Sequence, residues 1–446
     1  MFWTIHSASA ALRRGELSPL ELLDTCLERI DRYEARVQAW VFVDREYART
    51  QAETAAAELR QNRWRGPLHG IPIGIKDIFD VFDWPTAAGS RLWAQSVARH
   101  DATVVQRLRQ AGAVLLGKTV TTQYASFDPP PTRNPWNTGR TPGGSSSGSA
   151  AAVACSMCLG ALGSQTGGSI CRPASYCGVA GCKPTYRRVS TAGVVPLAVS
   201  MDHVGPIAGC VRDLAILLQT IAGSDSHDPE CSDRAVPDYF ARCRQASAVP
   251  RLGRLGGLFN DLAEPPMRRL LDHVSDQFRS QGAVVLDVAL PAAFAEVLSC
   301  HRTVMAVEAA AYHSLRLRRH PDDYAPKIRS LLEEGLACPA PEYARCKELQ
   351  QQLAKEMLAC FEGVDALLTP ATTGPAPDIA TTGNPAFNSP WSFTGLPTVS
   401  LPAGRDAEGL PLAIQLVGRP WDEAELLTAA AWCEETLSFA RVEPQQ

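Results

Sequence analysis

The sequence predicts an α/β protein, a layered domain in which short buried strands alternate with amphipathic helices, and three stretches carry that prediction. Pro67-Leu68-His69-Gly70-Ile71-Pro72-Ile73-Gly74-Ile75-Lys76-Asp77 reads as a short buried strand of glycine and β-branched residues with one lysine at its end. A helix capped at Asp101 follows it through Arg109, with Val104, Val105 and Leu108 inward, and Ala113 to Gly117 is again a buried strand. The alternation recurs from Gly181 to Ile221, with Asp213 in the closing helix. It recurs once more from Leu252 to Val288, where a strand to Leu258, a helix around Pro265 to Gln281 and a strand from Ala283 succeed one another.

The remaining elements fall around these. Ser18-Pro19-Leu20-Glu21 is a capping box with proline at the first helical position, and Leu22, Leu23, Cys26, Leu27 and Ile30 follow at helical spacing. A second helix spans about Asp44 to Gln61, with Ala48, Ala52, Ala55 and Leu59 on one face. The chain is polar and irregular from about Ser224 to Arg251, and helical patterns then reach Phe361, broken at Pro339 and Pro341. Val364 to Pro370 returns to strand. Loop signals run from Ala371 to Pro390, then come a strand pair near Thr398–Leu401 and Leu412–Val417 and a last helix near Glu423. There is no internal repeat and no low-complexity segment.

Composition narrows the function. In 446 residues, 45% hydrophobic and 20% charged content allow a large core, and a net charge of -4 leaves no electrostatic footprint for nucleic acid or an anionic membrane. No apolar stretch reaches the length of a membrane span, and Met1-Phe2-Trp3-Thr4-Ile5-His6 lacks a basic segment followed by an apolar run. A cytoplasmic protein is expected. The 14 cysteines are scattered and read as reduced, buried thiols. Cys155 and Cys158 form one C-x-x-C, but no second pair or histidine stands at ligand spacing, so the pair reads as core packing and no metal is expected.

The chemistry concentrates between Gly139 and Pro173. Gly143-Gly144-Ser145-Ser146-Ser147-Gly148 and Thr166-Gly167-Gly168-Ser169 are two glycine-serine clusters separated by the small residues Ala150 to Gly160. Such clusters can present backbone N–H groups and hydroxyls to a ligand, and both lead into apolar segments, unlike a flexible linker. A turn at Ser169 could aim several N–H groups at a carbonyl oxygen, although ordinary turns use the same residues. Lys76 ends a strand of Gly, Ile and Pro, where desolvation would lower its pKa toward that of a usable base; from this stretch alone a snorkelling lysine is the stronger reading. Of nine histidines only His69 and His203 lie near the glycine-rich segments, and neither has an evident carboxylate to orient it, so a serine activated without histidine is favoured.

Three segments taken together resolve these readings. Gly70 to Asp77, Pro142 to Ser149, and Gly163 to Ile170 resemble the three motifs of the amidase signature family. Gly117-Lys118-Thr119, Asn134-Pro135, Cys177-Gly178-Val179, Lys183-Pro184-Thr185, Gly395-Leu396-Pro397 and Gly409-Leu410-Pro411 resemble its flanking text. The resemblance implies one α/β/α domain over 1–446 with a mixed, many-stranded central sheet covered by helices. Its parts would be N-terminal helices in 1–65, a catalytic core in 66–224 and 362–446, and a mostly helical, more divergent segment in 225–361.

The resemblance further implies a Ser-cisSer-Lys triad with Ser169 as nucleophile, Ser145 as bridging serine after a cis Gly144–Ser145 peptide, and Lys76 as base. The N–H groups of Thr166, Gly167, Gly168 and Ser169 would form the oxyanion hole, with Ser146 supporting Lys76 by a hydrogen bond. Many members have Asp at Gln165, and Arg at the position of Cys171; here the arginine is Arg172. Ser169-Ile170-Cys171-Arg172-Pro173-Ala174 is similar to the malonamidase-like branch, whose arginine grips a substrate carboxylate. At Arg172 a structural pairing with an internal carboxylate carries comparable weight. Gln165, Tyr124, Trp391, Phe387, Asp128 and Pro129-Pro130-Pro131 are candidate substrate contacts, since they flank the motifs, and packing is the alternative for each.

The resulting expectation is an amidase cleaving the C–N bond of a small-molecule amide through an acyl-enzyme, without cofactor, nucleic acid or membrane, as a monomer or homodimer. Alternatives are the glutaminase (A-type) component of a glutamine-dependent amidotransferase, an ester or carbamate hydrolase using the same site, and a non-catalytic binding protein on this scaffold.

Overall fold

Eleven strands pair into one mixed sheet in the computed structural model, which describes residues 3–244 and 249–440. In chain order they are β1 (Trp40–Val43), β2 (Pro72–Lys76), β3 (Val114–Thr119), β4 (Gly160–Gln165), β5 (Ala180–Lys183), β6 (His203–Ala208), β7 (Arg251–Leu255), β8 (Val284–Val288), β9 (Ala366–Pro370), β10 (Thr398–Arg405) and β11 (Pro411–Val417). Across the sheet they lie β1-β3-β2-β4-β6-β5-β10-β11-β9-β7-β8. β3, β2 and β4 run parallel, as do β9, β7 and β8, and the strands between are antiparallel. The sheet is therefore mixed and many-stranded, with helices covering it, and forms a single α/β domain.

Burial follows the sequence pattern. Every residue of β2, β3, β4 and β6 is buried, as expected of strands covered on both faces. Ser18 caps the helix Pro19–Val37, with the Glu21 side chain returning a bond to the Ser18 N–H. Asp44 caps Arg45–Arg60. The segment 225–361 contributes β7 and β8 to the same sheet and packs the helix Pro265–Ser280 on it, while the helices Pro326–Ala337 and Ala340–Glu356 pack on Val297–Arg319.

Two local expectations change. The helix after Lys76 begins at Thr103 with no side-chain cap; Asp101 instead accepts from the Phe82 N–H and pairs with Arg109 at 2.7 Å. The strand expected to reach Leu258 ends at Leu255, because Gly257 takes a positive φ and Leu258–Asp261 is a short helix. Within the stretch read as irregular, Tyr239–Arg244 is helical, and residues 245–248 lie outside the described residues, as do Met1 and Phe2. None of the 14 cysteines is joined in a disulfide, and Cys155 and Cys158 are buried. Among the described residues, no helix is long and apolar enough to cross a membrane.

Candidate active site

Parallel pairing brings the lysine to the serines. Lys76, the last residue of β2, lies beside Thr119 of β3, while Ile75 pairs with Leu162 of β4, so Ser164 emerges next to the lysine. The Lys76 ammonium nitrogen lies 2.8 Å from Ser145 Oγ and 2.8 Å from Ser164 Oγ, with all three residues in the interior. Burial pulls the lysine down to about 7, against a smaller upward pull from Asp202. Ser164 was missed by sequence reasoning. Ser146, expected to bond Lys76, instead bonds the Ser164 backbone: its Oγ accepts from the Ser164 N–H and donates to the Ser164 carbonyl, both at 3.3 Å. Ser146 thus braces the residue that reaches the lysine.

Ser145 follows a cis Gly144–Ser145 peptide bond and opens onto the helix Ser147–Ala154. Gly143 has φ +82°, and a Cβ there would stand 2.8 Å from Pro173 Cα, so the chain can turn at this point only with glycine. The Ser146 N–H donates to the Ser169 carbonyl at 3.3 Å, which ties the two serine clusters together.

The turn Thr166–Ser169 leaves β4 and enters the helix Cys171–Cys177. Gln165 Oε1 accepts from the Ile170 and Cys171 N–H groups, both at 3.0 Å, and so caps that helix. Three further segments hold the turn. The Thr166 hydroxyl donates to Asp202, His301 Nε2 lies 2.9 Å from the Thr166 carbonyl, and Ser392 Oγ donates to the Gly167 carbonyl at 3.2 Å. Burial lowers His301 to about 4, so the ring is neutral and donates from Nε2. Asn388 Oδ1 occupies the space a side chain at Gly168 would need, 2.6 Å from the Cβ position. No described residue accepts from the N–H groups of Gly167, Gly168 or Ser169.

Arg172 lies on the helix Cys171–Cys177 with its guanidinium buried. Nη2 donates to the Gly144 carbonyl at 2.7 Å and to Thr382 at 3.4 Å, while Nε and Nη1 have no protein partner. Burial lowers its pKa to about 10. No described carboxylate pairs with it, which removes the internal ion pair as an account of this residue.

The other candidates make their contacts away from the serines. The Tyr124 hydroxyl donates to Asp323 at 2.7 Å, and its ring packs against His313 and Tyr324. Trp391 is buried and stacked on Phe259 at 5.6 Å, and Phe387 touches the same ring. Asp128 accepts from the Lys327 and Ile328 N–H groups, both at 2.9 Å. Pro129-Pro130-Pro131 lines a cleft of about 600 Å³, which the serines do not line. A cavity of about 110 Å³ has Ser164, Thr166 and Asp202 in its wall beside Val194, Leu197 and Val199.

Neither His69 nor His203 bonds a serine of the site. His69 Nε2 lies 3.0 Å from Glu58, a carboxylate the sequence did not reveal, in a pocket against Gly112. His203 is held neutral by burial, with Nδ1 2.6 Å from the Met201 carbonyl. His6, Cys210 and Asp213 bring possible metal-ligand atoms within 4.8 Å of one another. Asp213 already accepts from the Ile5 and His6 N–H groups, so its placement is explained by the first turn of the helix Ile5–Arg14, which Thr4 caps.

The family model described as Amidase matches residues 21–427. The chain is 36% identical to an amidase of Pseudomonas putida over 99% of this chain and 97% of that protein. It is also 36% identical to the A-type component of the glutamyl-tRNA(Gln) amidotransferase of Roseiflexus sp. (strain RS-1), over 95% of this chain and 94% of that protein. Among solved structures, one reported for a vestigial protein complex and the origins of an s-triazine catabolic enzyme superposes with a TM-score of 0.93 at 32% identity, covering 98% of this chain and 99% of the other. The chain belongs to the amidase signature family and is an amidohydrolase.

Proposed function

We propose that the protein hydrolyses a small carboxylate-bearing amide through an acyl-enzyme on Ser169, with Ser145 and Lys76 as its proton relay. The observation that carries this reading is the buried Lys76 nitrogen, 2.8 Å from Ser145 Oγ and lowered to about 7. A lysine that is substantially neutral at pH 7 can take the Ser145 proton, and Ser145 can in turn take the Ser169 proton as Ser169 Oγ attacks the amide carbon. The N–H groups of the Thr166–Ser169 turn then receive the oxyanion, with Gly167, Gly168 and Ser169 free of competing acceptors among the described residues. On collapse the C–N bond breaks, the relay returns the proton to the leaving amine, and water repeats the sequence to release the acid. Arg172, with two unmatched guanidinium nitrogens in the interior, is read as the group that receives the substrate carboxylate. Gln165 is read as fixing the nucleophile turn.

The test is a hydrolysis screen over short amides with and without a carboxylate, alongside Ser169→Ala and labelling by a fluorophosphonate. Turnover and labelling are both expected to disappear in Ser169→Ala while the fold persists; wild-type turnover in that variant removes Ser169 as nucleophile. The 36% identity to an amidotransferase component supports a second reading, a glutaminase working within a complex. Ammonia released from glutamine only in the presence of a co-purifying chain would select it.

A further inference from the structure

We propose that Asp202 is a positioning residue for this reaction: one carboxylate holds the hydroxyl of Thr166 in the nucleophile turn and presents a negative charge toward Lys76. The inference rests on the triad proposed above. Its first ground is register. β4 and β6 pair antiparallel with Gln165 opposite His203, so Thr166 and Asp202 leave the ladder side by side, one entering the nucleophile turn and the other ending the preceding loop. The Thr166 hydroxyl donates to Asp202 Oδ1, and the Leu197 and Ala198 N–H groups donate to the same carboxylate at 2.9 and 3.1 Å. Donors from two separate segments therefore fix it.

The second ground is what the carboxylate faces. Asp202 and Ser164 line one small cavity, and Ser164 is the residue whose hydroxyl bonds the Lys76 nitrogen. Asp202 is the charged group whose field acts on Lys76. Asp77, next in sequence to the lysine, is engaged by Lys118 at 3.0 Å. From the helix Val297–Arg319, Glu308 accepts from Ser200, two residues before Asp202, and its charge acts on Asp202, while Tyr186 lies within the field of Asp202. Burial raises Asp202 to about 6, so it is ionised where the lysine relay works.

An asparagine could accept the Thr166 bond without the cost of desolvating a charge. What the acid adds is opposition to the desolvation of Lys76, which keeps the base titrating near neutrality instead of lower, where it would be a weaker proton acceptor.

The experiment is the pH profile of kcat/KM for the wild type, Asp202→Asn and Thr166→Val on the best amide from the screen. In the wild type the acid limb is expected near pH 7. In Asp202→Asn it is expected to move to lower pH by about one unit, because an opposing charge has been removed. Thr166→Val keeps the carboxylate and is expected to lose plateau rate by about tenfold or more with the limb in place. A wild type without an acid limb rejects the triad reading itself. A wild-type limb that stays put in Asp202→Asn, or that moves equally in Thr166→Val, overturns the role given to Asp202. If Asp202→Asn fails to fold, Asp202→Ser carries the same expectation and the same refutation.

Discussion

Lys76→Met should abolish turnover and, at the same time, stabilise the fold. Lys76 is buried, and its pKa falls from 10.5 in the open chain to about 7 in the folded protein. At pH 7 the unfolded chain holds the proton almost completely and the folded chain about half the time, so keeping this lysine inside costs about 4 kcal/mol. Methionine has a similar length and no charge, and it removes that cost. It also removes the bonds to Ser145 and Ser164, worth about 1 kcal/mol each. The balance favours the variant by about 2 kcal/mol at pH 7.

The sign of the pH dependence is fixed by the lowered pKa. Below pH 7 both states carry the proton and the full penalty stands; from pH 7 toward 10.5 the unfolded chain binds more protons and wild-type stability from this group rises. The advantage of Lys76→Met should therefore be largest at or below neutrality and shrink as pH approaches 10. Thermal melting or denaturant unfolding of the two proteins at pH 6.5 and 9.5 measures it. A variant less stable than wild type at pH 6.5, or an advantage that grows with pH, would refute the assignment of a desolvated lysine, whatever happens to activity.

The other predictions bear on neighbouring groups. The wild-type kcat/KM should fall about tenfold per pH unit below the lysine's value of about 7, as read from initial rates between pH 5 and 9. Arg172→Ala should lower kcat/KM by about 10- to 100-fold for amides bearing a carboxylate and much less for neutral ones, the loss of a charge-assisted bond; equal losses on both would sink the clamp. Gly143→Ala should cost more than about 2 kcal/mol in unfolding experiments, since a Cβ meets Pro173 Cα at 2.8 Å on a left-handed backbone.

The parts of the site that could be read in the chain are those whose chemistry is written locally. A lysine closing a run of Gly, Ile and Pro has to end a buried strand, and the two glycine-serine clusters have to be turns; β2 and both turns stand where those patterns put them. Ser164 escaped because its importance comes from the parallel pairing of β2 with β4, and parallel neighbours leave no local mark in a sequence. Asp202, His301 and Ser392 escaped for a related reason. Each sits in a segment whose own pattern is ordinary, and each acts on Thr166 or Gly167 only after the chain has folded back from far away. The misreading of Asp101 as a cap shows the converse: an acid before a helix looked like a cap and was taken up by Arg109 and the Phe82 N–H.

On the proposed reading, the three-sided grip on the Thr166–Ser169 turn also sets when the protein can first act during its own synthesis. Ser169 leaves the ribosome early, but Ser392, which secures the Gly167 carbonyl, is translated more than two hundred residues afterwards. At usual elongation rates that interval lasts roughly 10 to 45 s. Throughout it the serine has neither its full brace nor the final strands of the sheet, so a nascent or truncated chain carries the Thr166–Ser169 sequence without the contacts that hold its turn. Hydrolysis thereby becomes a report on completion: a chain cut anywhere before Ser392 should fall silent, and activity in a lysate counts finished molecules.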